Sequence, residues 1–361
     1  MIYIALNVLF NAFILSIIVV TGTDIMRLPP LVGCGIAYAI AAGLTIVGYT
    51  RLGTKAIGVF MPGRKMIGRE KAKLEPLLTD VIEKMNNIYK TTYRLSDFKI
   101  KVTDNKVVNA CALGYNVITV NRGAFTAFTD EQLRAILAHE MGHLYYRDSV
   151  KNIALIYGSF GTRIVMTVYG IYLMFARFVN QCTSGRDGLF ITFISIMPLI
   201  FFLPIIALNW VGSKVFNLLS LMMSRGAEYR ADDFAASLGY KADMVGALEV
   251  MEQVTAHDNS FIAKLMATHP SPMLRVGALE DTGLSNQNLL IPNPLITSNL
   301  KYLNKSNDVV RLLTVLVIAG LLWCVMMLPF YYSPKQLQMD TPHKIDALDS
   351  TADNNYGIKN R

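Results

Sequence analysis

The sequence predicts a multi-pass α-helical membrane protein with a cytoplasmic α+β domain, and three observations predict it. Only 17% of the 361 residues are Asp, Glu, Lys or Arg, against about 25% in an average globular chain. The uncharged residues collect in apolar runs long enough to cross a bilayer. Directly after the second run, residues 51–73 hold Arg51, Lys55, Arg64, Lys65, Arg69, Lys71 and Lys73 against Glu70 alone, and the positive-inside rule places such a stretch in the cytoplasm. The net charge of +8 could suggest nucleic acid. The basic residues instead flank apolar spans without aromatic interleaving, so they read as orientation signals and no nucleic-acid partner is expected.

Taken in order, residues 2–22 carry no charge, no basic leader and no small-residue cleavage pattern, and read as a retained span. Asn7 and Asn11, one turn apart, form a polar strip best turned towards another helix. A turn with Pro29 and Pro30 leads to a second span, 31–50, completing a membrane segment over residues 1–50. The cytoplasmic part over 51–152 follows. A helix is expected over 74–92, then an alternating strand at 98–102 and further strands at 107–113 and 117–120, the last after the Gly114-Tyr-Asn turn.

Residues 129–148 read as one helix. Thr129 with Gln132 makes a capping box, and Leu133, Ile136, Leu137 and Leu144 give an apolar face.

Beyond it, residues 153–212 read as a membrane hairpin of two runs, 153–176 with Arg163 near its middle and 189–212 with Pro198 and Pro204. A charge at that depth should face protein or a water-filled cavity, and the two runs either cross or pack near the membrane surface. The second cytoplasmic part, 213–285, looks all-helical: a helix from 214 to a C-terminal cap at Gly239, one over 242–256, and one opened by Ser271 and Pro272. A polar linker over 286–311, a fifth span over 312–332 and a polar tail over 333–361 complete the chain. Cys34, Cys111, Cys182 and Cys324 include no CxxC pair, so packing thiols are expected rather than a disulfide framework.

The chemistry starts at His139-Glu140-Met-Gly-His143. Histidines one turn apart project from the same side of a helix and can share a metal. Glu140, beside the first, is placed to reach a water rather than the metal itself. Two exposed histidines on an amphipathic helix would give the same letters. A hydrolytic zinc needs a third protein ligand. The metzincin pattern would require His at position 149, which is Ser149. A Glu on a separate helix is the other common choice, and Glu228, in Ser224-Arg-Gly-Ala-Glu228-Tyr-Arg-Ala-Asp232, offers one. Asp232, one turn on, can then accept a hydrogen bond from the outer nitrogen of a ligating histidine. One Zn2+ per chain is the expected cofactor.

HExxH, a membrane hairpin and then Ser-Arg-x-x-Glu-Tyr-x-Ala-Asp together resemble the HtpX-type membrane zinc metallopeptidases, gluzincins related to the CAAX prenyl endopeptidases. The resemblance covers about residues 1–285 and extends to Val108-Asn109-Ala110-Cys111-Ala112-Leu113-Gly114 and to Thr268-His269-Pro270. It departs at Ala227, where many relatives carry Arg, and in the C-terminal span and tail, which a typical chain of the family lacks. It implies a zincin-like metallopeptidase domain, with Glu140 as general base and then acid. It also implies that Asn109–Leu113 form a sheet edge on which an extended substrate lies. An ordinary interior strand is the other reading of that segment. His269 either donates to the oxyanion or orients the helix that starts at Ser271.

The function expected is a zinc endopeptidase in the cell inner membrane, its active site facing the cytoplasm, cleaving misfolded or damaged membrane proteins. Its partners would be polypeptides and the lipid bilayer. Processing of one defined substrate, such as a prenylated C-terminus, is an alternative, although that family has more spans. A scaffold that has lost catalysis would lack a ligand, and none is missing.

Overall fold

Apolar side chains gather into two main cores, one among the long apolar helices and one in the domain beside them. The computed structural model describes residues 1–25, 29–60, 63–182, 186–254, 270–281 and 305–331. The first core joins α1 (Ile2–Ile25), α2 (Pro30–Tyr49), α7 (Asp148–Gly158) and α12 (Lys305–Tyr331). Four helical stretches are long and apolar enough to cross a membrane: Ile2–Val20, Pro30–Tyr49, Asp148–Tyr172 and Asp308–Met327. The chain is a mostly helical, multi-pass membrane protein with a small mixed sheet.

Polar anchors fix these helices where hydrocarbon offers no partner. Asn11 Nδ2 donates to the Asn7 carbonyl at 2.8 Å, and Thr162 Oγ1 donates to Asn11 Oδ1 at 2.7 Å. The asparagine strip thus turns to α8 (Phe160–Cys182), as its spacing predicts. Arg163 lines a cavity of about 290 Å3 of mixed polarity with Asn7, Asn11 and Asn209. The C-terminal helix docks on α2 through Trp323 Nε1, which donates to the Cys34 carbonyl at 3.0 Å, and through Tyr38, whose hydroxyl donates to the Leu316 carbonyl.

The second core packs helices onto one face of a four-stranded sheet. Its strands are β1 (Arg64–Lys65), β2 (Lys99–Thr103), β3 (Ala110–Leu113) and β4 (Val117–Asn121), in the order β1-β2-β4-β3. The β2–β4 pair is parallel and the others antiparallel. Val102, Ile118 and Val120 point to α4 (Gly68–Tyr89) and α6 (Asp130–Tyr145). The two-residue β1 has no hydropathy signal. Arg64 secures its far end by forking onto Glu70 at 2.8 Å and Asp104 at 2.8 Å.

Several helix boundaries differ from expectation: the helix expected over 74–92 is α4, which starts at Gly68, and the run 153–176 is divided at Ser159 between α7 and α8. The helix expected over 129–148 ends at Tyr145, and α7 starts at Asp148 after Arg147 takes a left-handed conformation (φ 55°). Arg147 is held there by stacking over Tyr115 and facing Asp308, contacts that only the tertiary fold supplies. The run 189–212 and the helix expected from 214 are one 50-residue helix, α9 (Arg186–Ala235). Hydropathy falls along it without a helix-ending signal at the change, so the apolar and polar stretches run on as one helix. A π turn, Ala236–Tyr240, with Gly239 at φ 88°, joins it to α10 (Lys241–Val254). The end of the expected linker, from Lys305, is already helical in α12. The side chains of residues 189–202, most of the linker and the tail lie outside the described residues.

Candidate metal centre

The capping box at Thr129 forms as expected: its Oγ1 accepts from Gln132 N at 3.2 Å, and Gln132 Oε1 accepts from Thr129 N at 3.1 Å. This fixes the start of α6, and with it the side on which His139 and His143 emerge. α9 crosses close to α6 at Gly142, where a Cβ would come within 3.2 Å of the Ala231 Cα. A larger residue would push the two helices apart. At this contact Glu228 and Asp232, one turn apart on α9, meet the two histidines.

His139 Nε2 and His143 Nε2 lie 3.2 Å apart, and the Glu228 oxygens lie 3.4 Å from each. The three residues can each offer a ligand atom to one metal ion. Ligands about 2.0–2.1 Å from a tetrahedral zinc must be about 3.3–3.4 Å from one another. The His–His spacing and each histidine's contact with its nearer Glu228 oxygen are close to that value, and one ligand atom from each residue lies within 4.8 Å of the others, so the residues fit a zinc-sized ion.

Each histidine also has a carboxylate behind its other nitrogen. Asp232 Oδ1 is 2.8 Å from His139 Nδ1, whereas Asp148 Oδ2 is 3.6 Å from His143 Nδ1, beyond a direct hydrogen bond. Burial lowers the His139 pKa, but the hydrogen bond and charge of Asp232, then Glu228, outweigh it, and the net shift is upward. At His143 burial is likewise outweighed, by Asp148 and Glu228, and the pKa is pushed up to about 10. The cluster favours positive charge at its centre.

Arg275, on α11 (Pro272–Asp281), completes the surroundings. It is 3% exposed. Its Nε donates to Asp232 Oδ2 at 2.7 Å and its Nη2 to Asp232 Oδ1 at 2.5 Å, while Nη1 lies 3.3 Å from Glu228. Sequence reasoning placed the start of this helix at Ser271 but did not single out Arg275. The available signal was position: Arg275 shares a helix face with the buried Val276 and Leu279. Asp148 was likewise passed over, because its role depends on the chain reversal at Arg147.

Glu140 is buried at 6% exposure, and its charge is felt by His143 and by Cys111 on β3. The segment expected as a sheet edge is one: among the described residues β3 pairs only with β4. Asn121 N donates to the Asn109 carbonyl at 2.9 Å, so residues 109, 111 and 113 bond towards β4. In the alternation of an antiparallel ladder, the peptide groups of Ala110 and Ala112 then point to the side of β3 that has no strand beside it. His269 lies outside the described residues.

A family model for "Peptidase family M48" matches residues 70–283, which include α6, β3, Glu228, Asp232 and Arg275. The chain belongs to peptidase family M48. Curated relatives include Protease HtpX of Acinetobacter baylyi, 31% identical over 48% of this chain and 61% of that protein. Protease HtpX of Stutzerimonas stutzeri is 29% identical over 48% of this chain and 63% of that protein. The chain thus covers less than two thirds of these relatives. Among solved structures, Ste24p of S. mikatae aligns over 65% of this chain and 56% of that one, at 20% identity and a TM-score of 0.38.

Proposed function

We propose that the protein is a zinc-dependent endopeptidase of the cell inner membrane, acting at the cytoplasmic face on misfolded or damaged membrane proteins. One observation carries the reading: His139, His143 and Glu228 each bring a ligand atom to within 4.8 Å of the others, beside a buried Glu140 and an edge strand. Its relatives' names support the activity. The basic stretch between α2 and α4 supports the cytoplasmic orientation.

His139, His143 and Glu228 would hold the metal. A bound zinc ion supplies a lowered water pKa and a polarised peptide carbonyl. Asp232 keeps the Nδ1 proton on His139, which leaves the Nε2 lone pair facing the cluster. Arg275 balances the charge of Asp232 and Glu228 and anchors both carboxylates. Ala110 and Ala112 offer backbone donors and acceptors to an extended peptide, which gives affinity with little sequence demand. Glu140 takes a proton from the attacking water and delivers it to the leaving amine.

The test is Glu140→Ala, purified beside the parent and loaded with zinc. Cleavage of an unfolded membrane protein should stop while one zinc per chain stays bound. Cleavage at the parental rate would remove Glu140 from the mechanism. Comparing that substrate with a farnesylated peptide separates broad degradation from processing of one defined terminus.

A further inference from the structure

Helix α3 (Arg51–Phe60) follows α2 after a single extended residue, Thr50 (ψ 162°). It does not continue the span. Gly53 comes back against the end of α2, where a Cβ would stand 2.2 Å from the Val47 carbonyl oxygen, so the chain turns sharply where the apolar run ends. One face of α3 packs on the protein. Thr54 lies against Gly114, Ile57 joins Leu113, Ile153 and Tyr157, and the Gly58 carbonyl accepts from Lys101 Nζ at 3.4 Å. Leu113 and Lys101 belong to the sheet face opposite α6, so α3 covers that face beside the edge strand.

The other face of α3 is apolar and uncovered. Leu52, Val59 and Phe60 are 74%, 80% and 88% exposed, with Ala56 exposed between them. At 3.6 residues per turn these four fall within an arc of about 100°. Arg51 and Lys55 flank that arc on one side. Outside the four spans and the apolar stretches of α8 and α9, the other exposed large apolar residues among those described are Ile67, Val107, Val254, Met273 and Leu274, none of them in such a stripe. Scattered apolar residues are normal on a water-facing surface, whereas a stripe on a basic amphipathic helix suits a lipid boundary.

We infer that α3 is an interfacial helix, its Leu52–Ala56–Val59–Phe60 stripe sunk in the membrane monolayer and its Arg51 and Lys55 at the lipid phosphates. Its continuity with α2 selects the bilayer as the occupant: the stripe begins at Leu52, three residues beyond the end of a spanning helix at Tyr49. The β3 end at Leu113–Gly114 then stands about one helix diameter, roughly 10 Å, from the lipid. A polypeptide leaving the bilayer would reach the edge strand with little intervening chain. This last step rests on the proposed peptidase function; the seating of α3 does not.

The two parts are tested separately. Phe60→Trp is placed in the full chain in nanodiscs, and its emission is taken as the difference from the parent, which has Trp210 and Trp323. The added Trp should emit in the blue, be quenched by lipids brominated on the upper acyl chain and resist aqueous acrylamide. Acrylamide quenching without bromine quenching would overturn the proposal. So would blue emission without bromine quenching, which would mean that the tail or a second copy covers the stripe. For the functional part, the variant Leu52→Ser/Val59→Ser/Phe60→Ser should cleave a soluble unstructured peptide at the parental rate. It should cleave a lipid-anchored substrate with a bilayer-proximal site about ten-fold more slowly. Equal rates on both substrates would overturn the link to substrate delivery. A parent that cleaves neither substrate would refute the peptidase reading and leave the quenching result standing.

Discussion

Two arginines in this molecule each lie between two carboxylates, one in water and one in the core. Arg64 forks onto Glu70 and Asp104 at the end of the sheet, with 36% of its side chain exposed. Arg275 forks onto Asp232 and touches Glu228 behind the metal centre, with 4% exposed. The pairing chemistry is alike, but the consequences of breaking it are not. An exposed ion pair is screened and adds little. A buried one adds little net stability when intact, yet removing one partner strands the charge that remains, at a cost of about 3–5 kcal/mol. The surface fork stitches a short strand in place, whereas the buried fork makes the metal centre and three helices mutually dependent.

The largest effect should therefore come from Arg275→Met, which leaves Asp232 and Glu228 without their shared cation. The metal-free variant should be less stable by about 3–5 kcal/mol in denaturant unfolding, while Arg64→Met melts close to the parent at neutral pH. Equal losses in the two variants would erase the distinction between the forks.

Next come the two carboxylates behind the histidines. Asp232→Asn should weaken zinc binding by about 10–100-fold, measured by competition with a chelator. Asp148→Asn, whose carboxylate stands 3.6 Å from His143, should lose less than Asp232→Asn. The reverse order would mean that His143 is the better-oriented ligand in the loaded protein.

The smallest effect is a pH dependence. The Arg64 hydrogen bond, opposed by burial and reinforced by the Ile67 N–H, holds Glu70 below its usual pKa. A carboxylate with a depressed folded-state pKa contributes stability above its unfolded value, about 4.3, and loses it as pH falls through the folded one. Melting temperature should fall from pH 5 towards pH 3, and Glu70→Gln should flatten part of that slope. An unchanged slope would remove Glu70 as its source.

How much of this was legible in the sequence follows from the distance over which each feature is encoded. His139, Glu140 and His143 sit within one helical turn and a half, and Glu228 and Asp232 within another, so spacing alone exposed both groups. Arg275 is a single residue whose partners lie 43 and 47 positions earlier, and no local pattern announces it. The strand at 98–102 is legible from alternation and those at 107–113 and 117–120 from apolar runs about the Gly114 turn, whereas β1 is held by the side-chain contacts of Arg64. The break at Arg147 escaped notice because it is held by Tyr115 and Asp308, distant in sequence. The continuity of α9 escaped notice because a change of solvent along a helix imitates a boundary.

That continuity makes α9 a lever. From Trp210, on its apolar stretch, to Glu228 is 18 residues, or about 27 Å along the axis. A rotation of one degree about the outer end therefore carries Glu228 through about 0.5 Å, close to the tolerance of a metal or catalytic site. The Glu228 corner of the candidate metal centre is thus mechanically continuous with the apolar stretch of α9, and a bilayer around that stretch would couple its tilt to the site. Chelation rates in thin and thick bilayers would read that coupling directly, and identical rates would show that the contact at Gly142 holds the site against it.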